Sequence, residues 1–192
     1  MPPTINFTQD TILNEAFEII RKEGLQALTA RKIAQNLNCS TQPVYSAFGS
    51  MQELQEAVLQ KAKAYAMMYL LQGQQDIDPF LAIGMQYFRF SQTEPALFQG
   101  LFLEGKLDMT LEKVGALSAP LIERMKQGEH FQTLHDTQIQ RIGRDMWVYT
   151  HGLISLMHGA DIANAEEFVR SQLHQMGRTI IEWEHTQKGE LV

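Results

Sequence analysis

With 192 residues and 44% hydrophobic content, the chain can bury a substantial core, as one domain or two small ones. A formal net charge of -6 argues against indiscriminate binding to polyanions. The start "MPPTINFTQDT" lacks the basic and apolar runs of an export signal, and no stretch reaches the ~18 apolar residues of a membrane span. A soluble, cytoplasmic protein with no membrane partner is expected, its one cysteine, Cys39, reduced and packed as a small hydrophobe.

Apolar residues recur at spacings of three and four rather than two, and no repeat or low-complexity tract appears, so an all-α fold of about nine helices is expected. Thr8 caps the first helix, whose stripe is Ile12, Leu13, Ala16, Phe17 and Ile20, and Gly24 ends it in a left-handed conformation. Thr29 caps the second, with Leu28 and Ile33 spaced as a hydrophobic staple, and this helix ends near Asn38. A short third helix starts from Ser40 as cap, with Pro43 at its third position, where a missing N–H costs nothing. Ser50 and Glu53 form a capping box for a fourth, which runs through Leu54, Ala57, Val58, Tyr65 and Met68 to Gly73. Asp78 and Pro79 open a fifth, and Pro95 restarts a sixth after a brief break. A seventh lies around residues 110 to 127 and should kink at Pro120. The eighth covers about 136 to 158, and the ninth about 164 to 185, with Asn164 and Glu167 as a cap pair.

The third helix has two unlike sides. At about 100° per residue, Thr41, Gln42, Pro43, Tyr45 and Ser46 share an arc of about 200°, and Val44, Ala47 and Phe48 lie opposite. Val44 and Phe48 can pack on Ile33 and Leu37, which leaves hydroxyls, an amide and a phenol facing outward. Such a face suits base edges and phosphate oxygens. Gln pairs bidentately with adenine, methylene groups touch the thymine methyl, and the capped start of the second helix suits a phosphate. The charge balance permits this, because residues 1 to 50 set Arg21, Lys22, Arg31 and Lys32 against Asp10, Glu15, Glu18 and Glu23. All the excess acid lies beyond them. The alternative is a solvated face on a small helical subdomain.

Residues 28 to 59, "LTARKIAQNLNCSTQPVYSAFGSMQELQEAVL", resemble the helix-turn-helix of the TetR family of bacterial regulators. The resemblance implies an amino-terminal DNA-binding domain over residues 1–52, a fourth helix at about 50–73 that connects, and a ligand-binding and dimerisation domain over 53–192. It implies that Thr29, Arg31, Thr41, Gln42, Pro43, Tyr45 and Ser46 face DNA, with Thr29 and Tyr45 on phosphates and Gln42 and Pro43 nearer bases. It further implies a homodimer joined through the last two helices, a palindromic double-stranded operator, and a repressor released by a small-molecule effector, with the fourth helix as the lever. Asn38-Cys39 stands where the family usually has Gly-Val, Met51 where a basic residue is common, and the segment before the first helix has no Lys or Arg. Operator affinity should therefore fall gently with salt.

The resemblance also implies a small-molecule pocket in the second domain, for an apolar or aromatic effector. Tyr87, Phe88, Phe98, Phe102, Met125 and Trp147 are its candidates, with Phe80, although ordinary core is the favoured reading of each. His151 joins them because "WVYTHG" puts it on one face with Trp147 and resembles a Trp-His-Gly pattern of some TetR-like carboxy-terminal domains. An enzyme is the rival reading, and its motifs are near misses. "GLFLEGKL" at 100–107 has Leu107 where a phosphate-binding loop needs Ser or Thr, and Glu182 with His185 is one Glu-x-x-His where a di-iron bundle needs two. His151 and His158 lie too far apart for one metal without further ligands, and no zinc spacing or serine elbow is present. No catalysis, metal or cofactor is expected. A third reading is an all-helical ligand-binding or scaffold module without DNA contact.

Overall fold

The computed structural model describes residues 7–72, 78–104, 119–157 and 164–186. Among them are nine α-helices and no strand: α1 (Gln9–Glu23), α2 (Ala30–Asn36), α3 (Gln42–Phe48), α4 (Met51–Leu71), α5 (Pro79–Thr93), α6 (Pro95–Phe98), α7 (Ala119–Lys126), α8 (Asp136–Met157) and α9 (Ala165–Thr186). The expected all-α fold is therefore found. Gly73, residues 110–118 of the expected seventh helix, Leu107 and His158 lie outside the described residues. The chain divides into two compact units, Met1–Met67 with Glu94–Leu107, and Met68–Thr93 with Asp108–Val192.

In the first unit two helix starts are capped as their residue types dictate. Thr8 Oγ1 accepts from the Thr11 N–H at 3.2 Å, and Thr29 Oγ1 from the Lys32 N–H at 3.1 Å. Gly24 closes α1 at φ +83° and ψ 169°, a region nearly reserved for glycine and distinct from the left-handed helical one expected. Ser50 Oγ accepts from the Glu53 N–H at 3.2 Å, while the Glu53 carboxylate turns to the Ser50 hydroxyl at 3.4 Å. The capping box is thus only half made. Along α4 the buried row is Leu54, Val58, Ala62 and Ala66. Steps of four drift about 40° around a helix, so burial leaves the expected line and Met68 emerges 57% exposed.

In the second unit α5 is buried on most sides, through Ala82, Met85, Gln86, Tyr87, Phe88, Phe90 and Ser91. It meets α9 by reciprocal close approach. A Cβ at Gly84 would stand 2.8 Å from Leu173 Cδ1, and one at Gly177 would stand 3.1 Å from Phe80 Cε1. Asp78 caps α5, its Oδ1 accepting from the N–H groups of Phe80 and Leu81 at 3.0 and 3.2 Å. Asn164 enters α9 at φ +59° rather than in the extended conformation of an ordinary N-cap. The buried Glu184 carboxylate ties α9 to α8 by accepting from Arg141 Nε and Nη2 at 2.7 and 2.8 Å.

Candidate nucleic-acid interface and effector cavity

The turn between α2 and α3 is built by its own backbone. Asn38 takes φ +52°, which Asn tolerates better than most side chains, and the Cys39 N–H returns to the Ala34 carbonyl at 2.9 Å. Ser40 is not the cap of α3. Thr41 is, but at φ -74° and ψ -12° its backbone is already helical and its side chain makes no capping bond. The helix starts at Gln42, and Pro43 falls in its first two positions.

Val44 and Phe48 face inward at 1% and 5% exposure, onto a core that includes Ile33. Thr41, Gln42, Tyr45 and Ser46 are exposed, Pro43 is half-buried, and Thr29 and Arg31 on the preceding helix are exposed. Gln42, Pro43 and Ser46 line a shallow surface groove with Ser40, Ala47, Phe7 and Gln9. Phe7 and Gln9 are absent from the sequence-derived set. Nothing in a linear pattern says that the start of α1 borders α3, since that placement is tertiary.

Most cations of this unit are occupied. Lys32 Nζ lies 2.9 Å from Glu23 Oε1, and Lys22 Nζ lies 3.8 Å from Glu18 Oε2. Arg21 donates from Nε to Glu94 Oε2 at 2.8 Å and from Nη2 to Oε1 at 2.5 Å, and the Tyr65 hydroxyl donates to Oε1 at 2.8 Å. Burial pushes the Glu94 carboxyl up, but the Arg21 and Tyr65 hydrogen bonds outweigh it and hold the group below the usual carboxylate range. This triad joins α1, α4 and the residue capping α6, and the sequence carries no signal for it. Arg31 makes no ion pair with any described residue.

In the second unit an apolar cavity of about 70 Å³ lies between α5, α7, α8 and α9, beside Leu70 near the end of α4. Of the sequence-derived candidates, Tyr87, Met125 and Trp147 line it, with Phe80. Phe88 is buried one position away on α5 and points elsewhere. Phe98 and Phe102 pack on each other at 5.3 Å between ring centroids and belong to the first unit, because the chain breaks at Glu94 and re-enters that unit. His151 does not line the cavity but supports two residues that do. Its ring stacks on Trp147 at 4.9 Å with planes 10° apart, and its Nδ1 is hydrogen-bonded to Tyr87 Oη at 2.9 Å. Burial lowers the His151 pKa, keeping the imidazole neutral at pH 7, and raises that of Tyr87 well above the ordinary phenol range against a weaker pull from a Trp147 hydrogen bond. No cluster of three or more His, Cys, Asp or Glu able to hold a metal occurs among the described residues. Nor is any described helix long and apolar enough to cross a membrane.

Residues 12–58 match the profile described as bacterial regulatory proteins, tetR family. No curated protein sequence matches the chain. Among solved structures, a TetR-family transcriptional regulator from Streptomyces coelicolor superposes with a TM-score of 0.61 at 14% identity, over 96% of this chain and 90% of that one. The TetR family repressor AlkX from Dietzia sp. strain DQ12-45-1b superposes more loosely, with a TM-score of 0.46 at 16% identity over 91% and 95% of the two chains. Residues 12–58 thus carry a helix-turn-helix that matches the TetR family profile, and the all-helical fold of the chain is shared with the Streptomyces coelicolor structure.

Proposed function

We propose that the protein is a cytoplasmic homodimeric repressor, released from a palindromic operator when a small molecule fills the cavity lined by Tyr87, Met125 and Trp147. Residues 1–52 act as the DNA-binding domain and 53–192 as the sensing and dimerising part, with α4 as lever between them. The observation that carries the reading is the polar rim of α3, where Thr41, Gln42, Tyr45 and Ser46 are exposed beside the half-buried Pro43. A short helix behind a tight turn can enter a major groove while its partner crosses the backbone. Gln42 and Pro43 then meet bases, and Tyr45, Thr29 and Arg31 meet phosphates. The Thr29 hydroxyl can serve twice, accepting from the Lys32 N–H and donating its own hydrogen to a phosphate oxygen.

Exposed Val148 and Leu156 on α8 and Phe168 and Trp183 on α9 offer an apolar face for a second copy. A two-fold dimer sets two recognition helices on successive half-sites. Coupling of about 1–3 kcal/mol between cavity and operator is enough for induction. No step of this mechanism requires catalysis.

The test is a footprint on DNA flanking the protein's own gene, comparing wild type with the double substitution Gln42→Ala and Tyr45→Ala. We expect a discrete palindromic footprint that the double substitution abolishes while circular dichroism is unchanged. A footprint that survives the substitutions rules out α3 as the reading element.

A further inference from the structure

The chemistry of the cavity wall narrows what can occupy it. The residues around it are leucines, an isoleucine, methionines, aromatics, glycines and one threonine, and no charged side chain lines it. Nearby charges in the same unit are already paired off it: Arg141 with Glu184, Arg144 with Asp145, and Arg89 with Glu166. The two hydroxyls in the wall are engaged as well. Thr150 Oγ1 donates to the Met146 carbonyl at 2.6 Å, and Tyr87 Oη is bonded to His151. A charged guest would lose its water and find no counter-charge, at a cost of several kcal/mol.

Size narrows it further. Apolar cavities of ~150 Å³ hold benzene, and this one measures about 70 Å³. Two of its walls, Met125 and Met146, are unbranched thioethers that can swing aside. Leu173 bounds the space on the α9 side, held there by the bare backbone of Gly84.

We propose that this cavity selects a compact, uncharged, hydrocarbon-like molecule of about benzene's size and rejects organic anions and cations of the same shape. The inference rests on the reading of the second unit as the sensing part. It adds the chemical class of what is sensed.

The experiment uses the full chain and three probes of one shape: toluene, benzoate and benzylammonium. Toluene is expected to raise the melting temperature and bind by calorimetry, with both ions at least about 100-fold weaker. Gly84→Ala places a methyl 2.8 Å from Leu173 Cδ1, which must turn that side chain aside into the cavity, and should abolish the toluene response with helicity retained. Leu173→Ala opens the same wall and should tighten naphthalene binding at least about tenfold, which decides the matter if Gly84→Ala fails to fold. Three outcomes overturn the proposal: no toluene response in wild type, an ion that binds as well as toluene, or indifference of the neutral probes to a folded wall variant.

Operator release is measured separately. Toluene binding that leaves operator affinity unchanged removes the effector reading and leaves the ligand class standing. Release by a charged compound, with toluene inert, removes the class and leaves the regulator reading standing.

Discussion

Glu94 shows what one residue can decide. Its carboxylate is almost fully enclosed, and its partner Arg21 keeps 36% of its side-chain surface exposed. The two halves of the pair should therefore fail unequally. Arg21→Ala strands a buried carboxylate with only Tyr65 beside it and should cost about 2–3 kcal/mol in urea unfolding. Glu94→Gln leaves a guanidinium that water can reach, so solvent screening limits the loss to about 1 kcal/mol. Glu94 and Glu184 both titrate below the ordinary carboxylate range, Glu184 chiefly through its hydrogen bonds from Arg141. Between the lowered folded values and the unfolded value of ~4.3 the unfolded chain binds more protons. Their stabilisation is thus full above that unfolded value and is lost as pH falls through the folded ones. Urea midpoints measured from neutral pH into acid should drop on the acid side, and the drop should be shallower in Glu94→Gln. Sequence position alone could not mark Glu94. A Glu before a Pro reads as an ordinary helix entry until three helices are packed around it.

At the scale of elements, α2 and α3 are the pair proposed to carry recognition, and most of their local rules are readable residue by residue. Thr29 and Asp78 do what their side chains predict, and Gly24 ends α1 at positive φ though outside the left-handed helical region, because a cap is decided within about four residues. The sequence sets the start of α3 one residue early, since Ser40 and Thr41 are chemically equivalent candidates and only the backbone dihedral separates them. Thr29→Ala removes one capping bond and should destabilise the chain by about 1 kcal/mol in chemical denaturation. Its operator affinity, compared with that of a distant variant of equal stability, should fall further, because a phosphate donor is lost too. Met51 opens α4 half-buried, where it brings no charge. Met51→Lys should steepen the log–log dependence of operator affinity on salt by up to ~0.9 for each phosphate gained, counting both protomers of a dimer. Filter binding across a salt series measures this, and an unchanged slope removes the start of α4 from the interface.

For the whole molecule, the exposed apolar side chains of α8 and α9 are the feature that a monomer leaves unexplained, with Leu156 86% and Trp183 54% exposed. Leu156→Glu combined with Trp183→Glu should convert the proposed dimer to monomers in sedimentation at micromolar concentration. Operator affinity should collapse with it, because two half-sites then have to be bound independently. The amino-acid sequence by itself determined the helical class, the caps at Thr8, Thr29 and Asp78, and the two-sided character of α3. These follow from short-range geometry: 3.6 residues per turn and the needs of four unpaired N–H groups. Tertiary structure alone decided that Arg21, Tyr65 and Glu94 meet, and that Phe98 and Phe102 belong with the first unit. It also decided that Tyr87, Met125 and Trp147 share one cavity while Phe88, equally apolar and next in the chain, does not. An aromatic at helical spacing carries the same hydrophobic signal whether it fills space or borders it. Only the placement of neighbouring helices distinguishes the two.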